Sequence, residues 1–546
     1  MTEWLLSGHN TQESLAVARP LTATAVEANL NIAVSWPIET LAGDTSDFDP
    51  QIHASTVVQG WVYINIDYAT RNMARVLPFD AESVGVPQEL VAQYEKVVPG
   101  RLLKLPFRYH KLYRWTKNFY HNILPEQTQA TRELYWHLRD QSRPPLERLW
   151  ETFEPDFVTR LIDDARAHGL VSITVAVLDT ILRQQAPALL SLFAGRETAT
   201  SLIGQRIWEL SRVALTCGDA VLKFLRSGEM MLSTYEALPE AAPLIEGVQS
   251  FLRDYGHRGF RYELDFGAER FVDHPEQVWI AIANQLQETQ PPTERATAAQ
   301  AGGRAALQAI NPVARPIWRA LLRWAQQLIA WREASKSYTS LHHALYGLVA
   351  RHLSRRFYPN APEDEMMFYT FEEFLTFGRS QGEKQVAQEI LARRRAEYEL
   401  RDQQLAPPEL IRYNPETQHW RPVLEKDQER AAVAPTTFHG IPACGGSGPV
   451  EGIALVTNDP VGAGRRLLEL EGPVILVTRL TDPAWSSLFG RLTAVITELG
   501  GLISHATIVA RENGLPAVVG VPEATHWIRN GQRLRVDGNT GSITVL

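Results

Sequence analysis

Cysteine is scarce in this chain, with two residues among 546. Two cysteines cannot supply the disulfide framework that staples small secreted domains, so a reducing compartment is expected. The sequence also lacks the basic start and apolar run of a secretory signal. Its longest apolar stretches are too short to span a bilayer. We therefore expect a cytoplasmic protein that has no membrane partner.

A strong charge of either sign is also lacking. The 54 Lys and Arg residues nearly balance the 62 Asp and Glu residues, which leaves a formal net charge of -8. This balance argues against nucleic acid as a general partner. Hydrophobic residues make up 45% of the chain and charged residues 21%, as in ordinary globular proteins. The length suits about two to four domains with large cores.

Helical periodicity dominates the chain up to residue 402. Apolar residues recur at three- and four-residue spacing within four stretches, 146–161, 199–224, 317–331 and 341–357. A Pro-Pro pair and an Ala-rich run interrupt the pattern at 290–304, which predicts a mobile surface segment. The segment 403–439 is rich in Pro, Gln and charge, a composition that suits an interdomain linker.

The pattern changes in residues 440–546. Short β-branched runs alternate with Gly-rich turns, at 452–457, 473–478, 494–497 and 542–545. One clear helix is predicted over 505–513. We therefore predict a multidomain protein, with a large mainly α-helical region at 1–402, a linker at 403–439 and a small α/β domain at 440–546.

The most informative motif lies in this small domain, where the residues from Glu498 to Gly520 read ELGGLISHATIVARENGLPAVVG. A strand leads into a double-glycine turn and then a helix, with Ser504 as a favourable N-cap and Gly514 as a stop. His505 then lies in the first helical turn. Free backbone N–H groups and the positive end of the helix dipole favour a phosphoryl group there. Neutral imidazole is a competent nucleophile near neutral pH.

A bare G-G-x-x-S-H match is equally compatible with a structural histidine at a helix start. The whole block, however, resembles the swivelling phosphohistidine domain of the phosphoenolpyruvate synthase and pyruvate phosphate dikinase family. The resemblance implies that His505 carries a phosphoryl group. It also implies that Gly500, Gly501, Ser504 and Arg511 surround the phosphate.

Other segments of the small domain resemble the same family, so that the resemblance covers 440–546. They are 440–443, 448–452, 477–485, 536–538 and Gly541. One departure is Ile503, which stands where many members have Thr beside the Ser-His pair. A hydroxyl that steadies the phosphate is therefore missing at this position.

The order of a helical region, a linker and a phosphohistidine domain resembles rifampin phosphotransferase and its relatives. Matching blocks occur along the helical region, at 18–22 (ARPLT), 255–259 (YGHRG), 263–265 (ELD), 273–275 (DHP), 331–336 (WREASK) and 392–398. The resemblance implies that this region binds a small molecule whose hydroxyl accepts the phosphoryl group. Aromatic residues at 107–115 and 119–121 suit a pocket for an aromatic alcohol, although aromatic clusters also build ordinary cores.

Arg332 and Lys336 are four residues apart and share one helix face. Two such cations can hold a phosphoryl group in transit, and the family resemblance implies this role. The alternative is a solvated face, or a pair between Arg332 and Glu333.

His257, between glycines in a tight turn, is a candidate general base toward the acceptor hydroxyl. A structural histidine bonded to the backbone is its alternative.

The source of the phosphoryl group is the last question that the sequence raises. Rifampin phosphotransferase charges its histidine with ATP bound in an N-terminal ATP-grasp domain. Neither a P-loop nor a Gly-rich nucleotide loop with acidic metal ligands is recognisable in this sequence, and no two histidines flank a carboxylate at helical ligand spacing. We therefore expect no directly bound cofactor or metal. ATP and Mg would act through a separate ATP-grasp partner.

These expectations combine into one predicted function. The chain would be the phosphotransferase component of a split enzyme, which carries a phosphoryl group on His505 from the ATP-grasp partner to a hydroxyl in the helical region. Two alternatives remain open. One is a non-catalytic binding or regulatory subunit that keeps the fold. The other is a carrier that charges itself from phosphoenolpyruvate.

Overall fold

The computed structural model describes residues 4–7, 18–43, 45, 53–68, 72, 99–186, 189, 192, 198–228, 232–259, 263–402, 410–423, 435–446, 448–501 and 504–546. The chain divides into two compact units. The first consists of Met1–Val177, Tyr262–Ala268 and Ala334–Lys426. The second consists of Leu178–Arg261, Glu269–Glu333 and Asp427–Leu546.

Helices account for most of the described residues before 403. In chain order they are α1 (Pro20–Ala42), α2 (Pro99–Asn118), α3 (Leu124–Arg139), α4 (Leu146–Trp150), α5 (Pro155–Gln185), α6 (Ala199–Thr216), α7 (Asp219–Ser227), α8 (Leu232–Glu236), α9 (Ala242–Tyr255), α10 (Glu276–Gln285), α11 (Pro292–Ala299), α12 (Ala301–Ala309), α13 (Arg315–Phe357), α14 (Phe371–Arg379) and α15 (Gln388–Asp402). Both α5 and α13 cross a boundary between the two units.

The core of the first unit forms around the second half of α13. Leu341, Leu345 and Leu348 recur at four- and three-residue spacing and therefore lie on one buried face of this helix. They pack with the aromatic residues Phe153, Phe266, Tyr346, Phe368, Phe374 and Phe377 in one cluster. The helical periodicity at 341–357 thus predicted the helix, and its apolar face supplies the core.

The first unit also contains a five-stranded antiparallel sheet in the order β2-β3-β1-β4-β5. Its strands are β1 (Trp4–Ser7), β2 (Ser55–Val58), β3 (Trp61–Asn65), β4 (Leu410–Asn414) and β5 (His419–Pro422). In β4, Ile411 and Tyr413 alternate with less buried residues and pack against Trp4, Leu6 and Trp61. The last two strands therefore lie inside the segment 403–439, for which the composition predicts a linker.

The helical part of the second unit packs around α6 and α10. Ile203, Ile207 and Leu210 repeat along α6 and contact Trp279 and other buried residues of α10. The Tyr235 and Trp279 rings stack with centroids 4.2 Å apart. Thr198 and Ser201 form a reciprocal capping box that begins α6.

The segment 290–304, for which we predicted a mobile surface segment, forms α11 and the start of α12. Pro292 occupies the first helical position, where its missing N–H costs nothing. Alanine has the highest helix propensity. The Pro-Pro pair therefore begins a helix, and the predicted interruption of the helical pattern at 290–304 was wrong.

The C-terminal part of the second unit is an α/β fold around an eight-stranded sheet in the order β6-β13-β12-β8-β9-β10-β11-β7. Its strands and helices are β6 (Thr437–His439), β7 (Ile441–Cys444), β8 (Val450–Val456), α16 (Pro460–Glu469), β9 (Val474–Thr478), β10 (Ala494–Thr497), α17 (His505–Asn513), β11 (Ala517–Val519), α18 (Ala524–Trp527), β12 (Arg533–Asp537) and β13 (Ser542–Val545). Strands β8 to β11 are parallel. Their buried side chains belong to two hydrophobic clusters.

The predicted combination of a mainly helical region and a small C-terminal α/β domain is confirmed. Within the described ranges, no helix is both long enough and apolar enough to cross a membrane. The parallel β9-β10 pair brings the chain to the turn that precedes α17. This turn carries the histidine motif.

We predict that Gly347→Ala destabilises the first unit. A Cβ atom at Gly347 would lie 2.0 Å from the carbonyl oxygen of Phe266, so helix and turn must move apart. The expected loss is about 1–3 kcal/mol, as for other overpacked sites. Gly302→Ala in α12 is the matched control, because a Cβ there meets no atom within 4 Å. Thermal unfolding that is equal for the two variants would contradict this packing.

Candidate active site around His505

The helix α17 begins where the motif predicts. Ser504 has extended backbone angles, and its Oγ accepts a hydrogen bond from the Thr507 N–H at 3.3 Å. The Thr507 hydroxyl in turn donates to the Gly501 carbonyl at 2.7 Å. His505 is therefore the first residue of the helix. Backbone N–H groups of a first turn have no intrahelical acceptor, which suits an anion such as phosphate.

The turn before α17 requires glycine at position 500. Gly500 has a φ of +114°, and a Cβ there would lie 3.0 Å from the Ser504 Oγ. Gly500, Gly501 and Ser504 are thus brought to the start of the helix together with His505. Ile503 lies outside the described residues.

The His505 side chain is buried, with 5% of the residue exposed. Its Nε2 atom lies 3.3 Å from the Ser486 hydroxyl. Phe489 packs edge-on to the imidazole, with centroids 6.5 Å apart. Ser486 belongs to a short 3-10 helix, Pro483–Ser487, which begins at the Asp482 side chain. The contact with His505 was not predicted, because nineteen residues separate the two in sequence.

Arg511, predicted to bind phosphate, is buried on α17. Its Nε donates to the Ala443 carbonyl at 3.1 Å, and its Nη1 lies 4.0 Å from an Asp179 carboxylate oxygen. Six residues separate it from His505, so the two side chains point to different faces of the helix. In this arrangement the guanidinium fixes α17 to its surroundings.

The remaining predicted site residues lie elsewhere in the chain. Arg332 pairs with the adjacent Glu333 through Nη1 and Oε1 at 3.0 Å, which is one of the alternatives that the sequence left open. Lys336 lies on the part of α13 that belongs to the first unit. His257 is buried in the turn after α9, and its carbonyl accepts from Arg270 at 2.7 Å.

A cavity of about 340 Å³ lies within the second unit, beside α17. Thr200 and Ser201 of α6 line it on one side, and Arg295 of α11 lines it on another. Ser486 and Glu512 complete its wall. Because Ser486 also contacts the His505 Nε2, this cavity extends to the neighbourhood of the candidate nucleophile.

The carboxyl group of Glu512 lines this cavity, and that of Glu333 is hydrogen-bonded to the lining residue Thr200. Glu512 accepts a hydrogen bond from the Thr198 hydroxyl at 3.1 Å, and the buried Glu333 accepts one from Thr200 at 3.0 Å. Burial, reinforced by the nearby negative charge of Glu333, raises the pKa of Glu512 to about 8. The Glu512 carboxyl is therefore mostly protonated at neutral pH. Neither glutamate was predicted as a site residue, because their proximity depends on packing between distant segments.

The α/β part packs tightly against helices of its own unit. Asn284 on α10 donates to the Gly464 carbonyl on α16 at 2.9 Å. A Cβ at Gly464 would lie 2.5 Å from the Ile280 side chain. Ala484 is buried within the helical cluster around α6 and α10. In this arrangement, His505 faces the helices of the second unit.

Comparison with known protein families places this site in context. Residues 470–541 match the family described as "PEP-utilising enzyme, mobile domain". The chain carries this mobile domain. His505, Ser486 and Glu512 all lie within the matched range. Residues 166–333 match a second family, described as "Rifampicin phosphotransferase fourth domain". Its range ends at Glu333.

Individual relatives of the chain include enzymes of both kinds. A rifampicin phosphotransferase of Streptomyces sviceus is 38% identical over 186 residues, which are 34% of this chain and 20% of the relative. One of Bacillus subtilis is 35% identical over 183 residues, 34% of this chain and 19% of the relative. A probable phosphoenolpyruvate synthase of Staphylothermus marinus is 38% identical over 118 residues, 22% of this chain and 14% of the relative. The matched segments thus span about a fifth or less of these relatives.

Among the residues that the structure describes, no group of three or more His, Cys, Asp or Glu side chains is arranged to hold a metal ion.

We predict that Glu512→Gln changes how stability depends on pH. The pKa of Glu512 is raised from 4.5 to about 8 in the folded protein. Between these pH values the folded state holds a proton that the unfolded state releases, so stability falls as pH rises. Glutamine lacks this proton equilibrium. The variant should therefore unfold at a higher temperature than the wild type at pH 8, and at a similar temperature at pH 5.

The exposed Glu471 provides the control for this measurement. Glu471→Gln should leave the wild-type pH profile unchanged. A Glu512→Gln profile that runs parallel to the wild type from pH 5 to pH 8 would show that the carboxyl does not titrate in the folded protein.

Proposed function

We propose that this chain is the carrier and acceptor-binding component of a phosphotransferase. His505 would receive a phosphoryl group from a separate ATP-grasp partner and deliver it to a hydroxyl of an organic small molecule bound in the helical region. The main supporting observation is the position of His505. It begins a helix in the mobile domain, with Nε2 directed to a serine on the wall of a cavity.

The imidazole can act as the nucleophile through Nε2. With its proton on Nδ1, the ring presents a lone pair at Nε2, to which the Ser486 hydroxyl can donate. In the first step, the bond between phosphorus and the donor oxygen breaks and a P–N bond forms. In the second step, the P–N bond breaks, its electron pair returns to the ring, and the acceptor oxygen bonds to phosphorus while its proton leaves.

The residues around His505 would stabilise the phosphoryl group. Gly500, Gly501 and Ser504 shape the turn so that the first N–H groups of α17 are available to phosphate oxygens. Arg511 anchors the helix to the Ala443 carbonyl of the same domain, so its side chain would have to leave that carbonyl to contact phosphate. These roles rest on the local geometry and on the family resemblance.

Residues of the helical region would complete the transfer site. Arg332 and Lys336 would neutralise the transferring phosphoryl group. To contact the phosphoryl group, Arg332 would first have to break its ion pair with Glu333. His257 is proposed as the base that receives the acceptor proton. Its buried position between turns also supports a structural role.

The burial of His505 bears on how it would be charged. With 5% of the residue exposed, the imidazole is buried at the start of α17, a helix that packs against α6 and α11. A second protein cannot reach it in this arrangement. We therefore propose that residues 440–546 move as a body away from these helices to meet the donor, and that part of 403–439 permits the movement. In this proposal residues 1–402 bind the acceptor.

The proposed scheme needs no cofactor bound directly by this chain. ATP and Mg would act within the ATP-grasp partner, where they supply the phosphoryl group. The residues of this chain would accept that group, orient it and exclude water from it.

We predict that His505→Gln abolishes phosphorylation of the chain. The full chain would be incubated with ATP labelled at the β-phosphate, with and without an ATP-grasp protein encoded nearby, and assayed for acid-labile label. Wild type should be labelled only with the partner, because the phosphoryl group must come from a charged donor. His526→Gln, in α18 of the same domain, is the matched control and should be labelled like the wild type.

The other functions correspond to other outcomes of this experiment. Labelling from phosphoenolpyruvate without a partner would support self-charging. Absence of label with every candidate donor would favour a non-catalytic binding or regulatory subunit. Equal labelling of His505→Gln and wild type would show that the carrier residue is a different one.

We predict that Arg332→Ala and Lys336→Ala slow transfer to the acceptor without preventing the charging of His505. Removal of one phosphate-stabilising group in a phosphoryl transfer site costs on the order of 100-fold in rate. The measurement is the loss of label from His505 on addition of acceptor. Arg323→Ala is the control, because Arg323 is an exposed arginine of the same helix. Equal rates of label loss for all three variants would show that neither Arg332 nor Lys336 contributes to the transfer.

A further inference from the structure

The cavity beside α17 is bounded by both parts of the second unit. Thr200, Ser201 and Gly204 contribute from α6, whereas Val509 and Glu512 contribute from α17 of the mobile domain. A molecule in this cavity would contact both parts at once.

The α17 face beside the cavity has two chemically different ends. His505, Val509 and Glu512 follow one another at four- and three-residue spacing, so they share one face of the helix. Seven residues correspond to a rise of about 10 Å. One end is marked by Ser486 and the His505 Nε2, 3.3 Å apart. The other end is marked by the Glu512 carboxyl.

The end of this face where Glu512 lies carries little positive charge. The Glu512 Oε1 accepts from the neutral Thr198 hydroxyl. Glu333 adds a second carboxylate nearby, whose own partners are Thr200 and Arg332. Two carboxyl groups therefore share this region, and the one that faces the cavity is bonded to a neutral hydroxyl.

The other arginines near the cavity are already engaged. Arg295 pairs with Glu288 at 3.1 Å and packs against the Gly490 backbone. Arg304 donates to the Thr297 carbonyl and is exposed at the rim. Arg511 on α17 itself bonds to the Ala443 carbonyl and lies near Asp179. Among the described residues, no cation is therefore paired with Glu512, and the neighbouring charge that acts on its carboxyl group is that of Glu333.

We infer that this cavity binds an amino alcohol, with its ammonium group against Glu512 and its hydroxyl group beside Ser486 and His505. The hydroxyl half of this inference rests on the proposed function, which requires an acceptor oxygen next to His505. The placement of the ammonium group rests on the Glu512 carboxyl in the cavity wall, on the nearby Glu333 carboxyl and on the cavity itself. Val509 and the neighbouring Leu202 provide apolar contacts for the chain between the two groups.

Proton release follows from this mode of binding. Glu512 holds a proton at neutral pH because burial and Glu333 disfavour its charge. An ammonium group favours the charged form, so Glu512 gives up its proton as the ligand binds. Binding should therefore tighten as pH rises through about 8. It should weaken again only where the amine itself loses its proton, near pH 10.

The test compares two probes of equal length, 6-aminohexan-1-ol and hexane-1,6-diol. Their affinities for the full chain would be measured by titration calorimetry, without any phosphoryl donor. We expect the amino alcohol to bind about ten-fold more tightly than the diol at pH 8, as for one charged hydrogen bond. Calorimetry in two buffers of different ionisation enthalpy should also show proton release.

Three variants test whether the probes bind in this cavity or elsewhere on the surface. Glu512→Gln should reduce the preference for the amino alcohol to about two-fold or less and abolish proton release, since the cation gains no carboxylate. Gly204→Leu should block both probes, because a side chain there enters open space and fills the cavity. Glu471→Gln, at an exposed turn, is the control and should bind both probes as the wild type does.

Each outcome bears on the inference independently of the proposed function. Equal affinities for the two probes in the wild type, or an undiminished preference in Glu512→Gln, would overturn the ammonium site. Undisturbed binding in Gly204→Leu would show that the probes bind outside this cavity. Because no phosphoryl donor is used, failure to label His505 would count against the proposed function and leave the binding result standing.

Discussion

The hydrogen bond from the Thr507 N–H to the Ser504 side chain sets the first residue of α17, and with it the direction of every side chain on that helix. A start one residue later would rotate the helix by about 100°. Glu512 would then leave the cavity wall, His505 would lose the Ser486 hydroxyl and Arg511 would lose the Ala443 carbonyl. The Thr507 hydroxyl ties the same turn to Gly501, so cap and glycine turn act as one element.

Different faces of α17 therefore contact different partners. Arg511 fixes the helix to the β7 strand through Ala443. Glu512 faces the start of α6 and meets Thr198. The Glu512 carboxyl group is held by the Thr198 hydroxyl rather than by a guanidinium, so its interaction with α6 depends on its protonation state.

Sequence patterns predicted the local features of this chain well. The strand, glycine turn and helix around His505 follow from residue preferences within about twenty positions, and each was confirmed. The helices with clear apolar spacing were confirmed for the same reason. Strands β4 and β5 were missed because their alternation is short and their partners β1 and β3 lie far away in sequence. At 290–304 the prolines were taken as breakers, although Pro292 occupies the one helical position that tolerates proline.

The site itself was only partly predictable. Ser486 meets His505, and Glu333 lies near Glu512, because segments that are distant in sequence pack together, and no periodicity within a single segment encodes that packing. The ion pair of Arg332, in contrast, joins neighbours in sequence. Glu333 was one of the partners considered, and the pair is present. Short-range partners can be foreseen from spacing, whereas a cavity between distant helices cannot.

The first unit is completed by a pairing between its two extremes. Leu5 of β1 lies opposite Arg412 of β4, so the central strand of the sheet acquires this neighbour only after about 400 further residues have been synthesised. At a translation rate of 5–20 residues per second, the wait is roughly 20–80 s. By then the segments Leu178–Arg261 and Glu269–Glu333 of the second unit have already been synthesised. The sheet of the first unit can therefore close only after most helices of the second unit are available to fold.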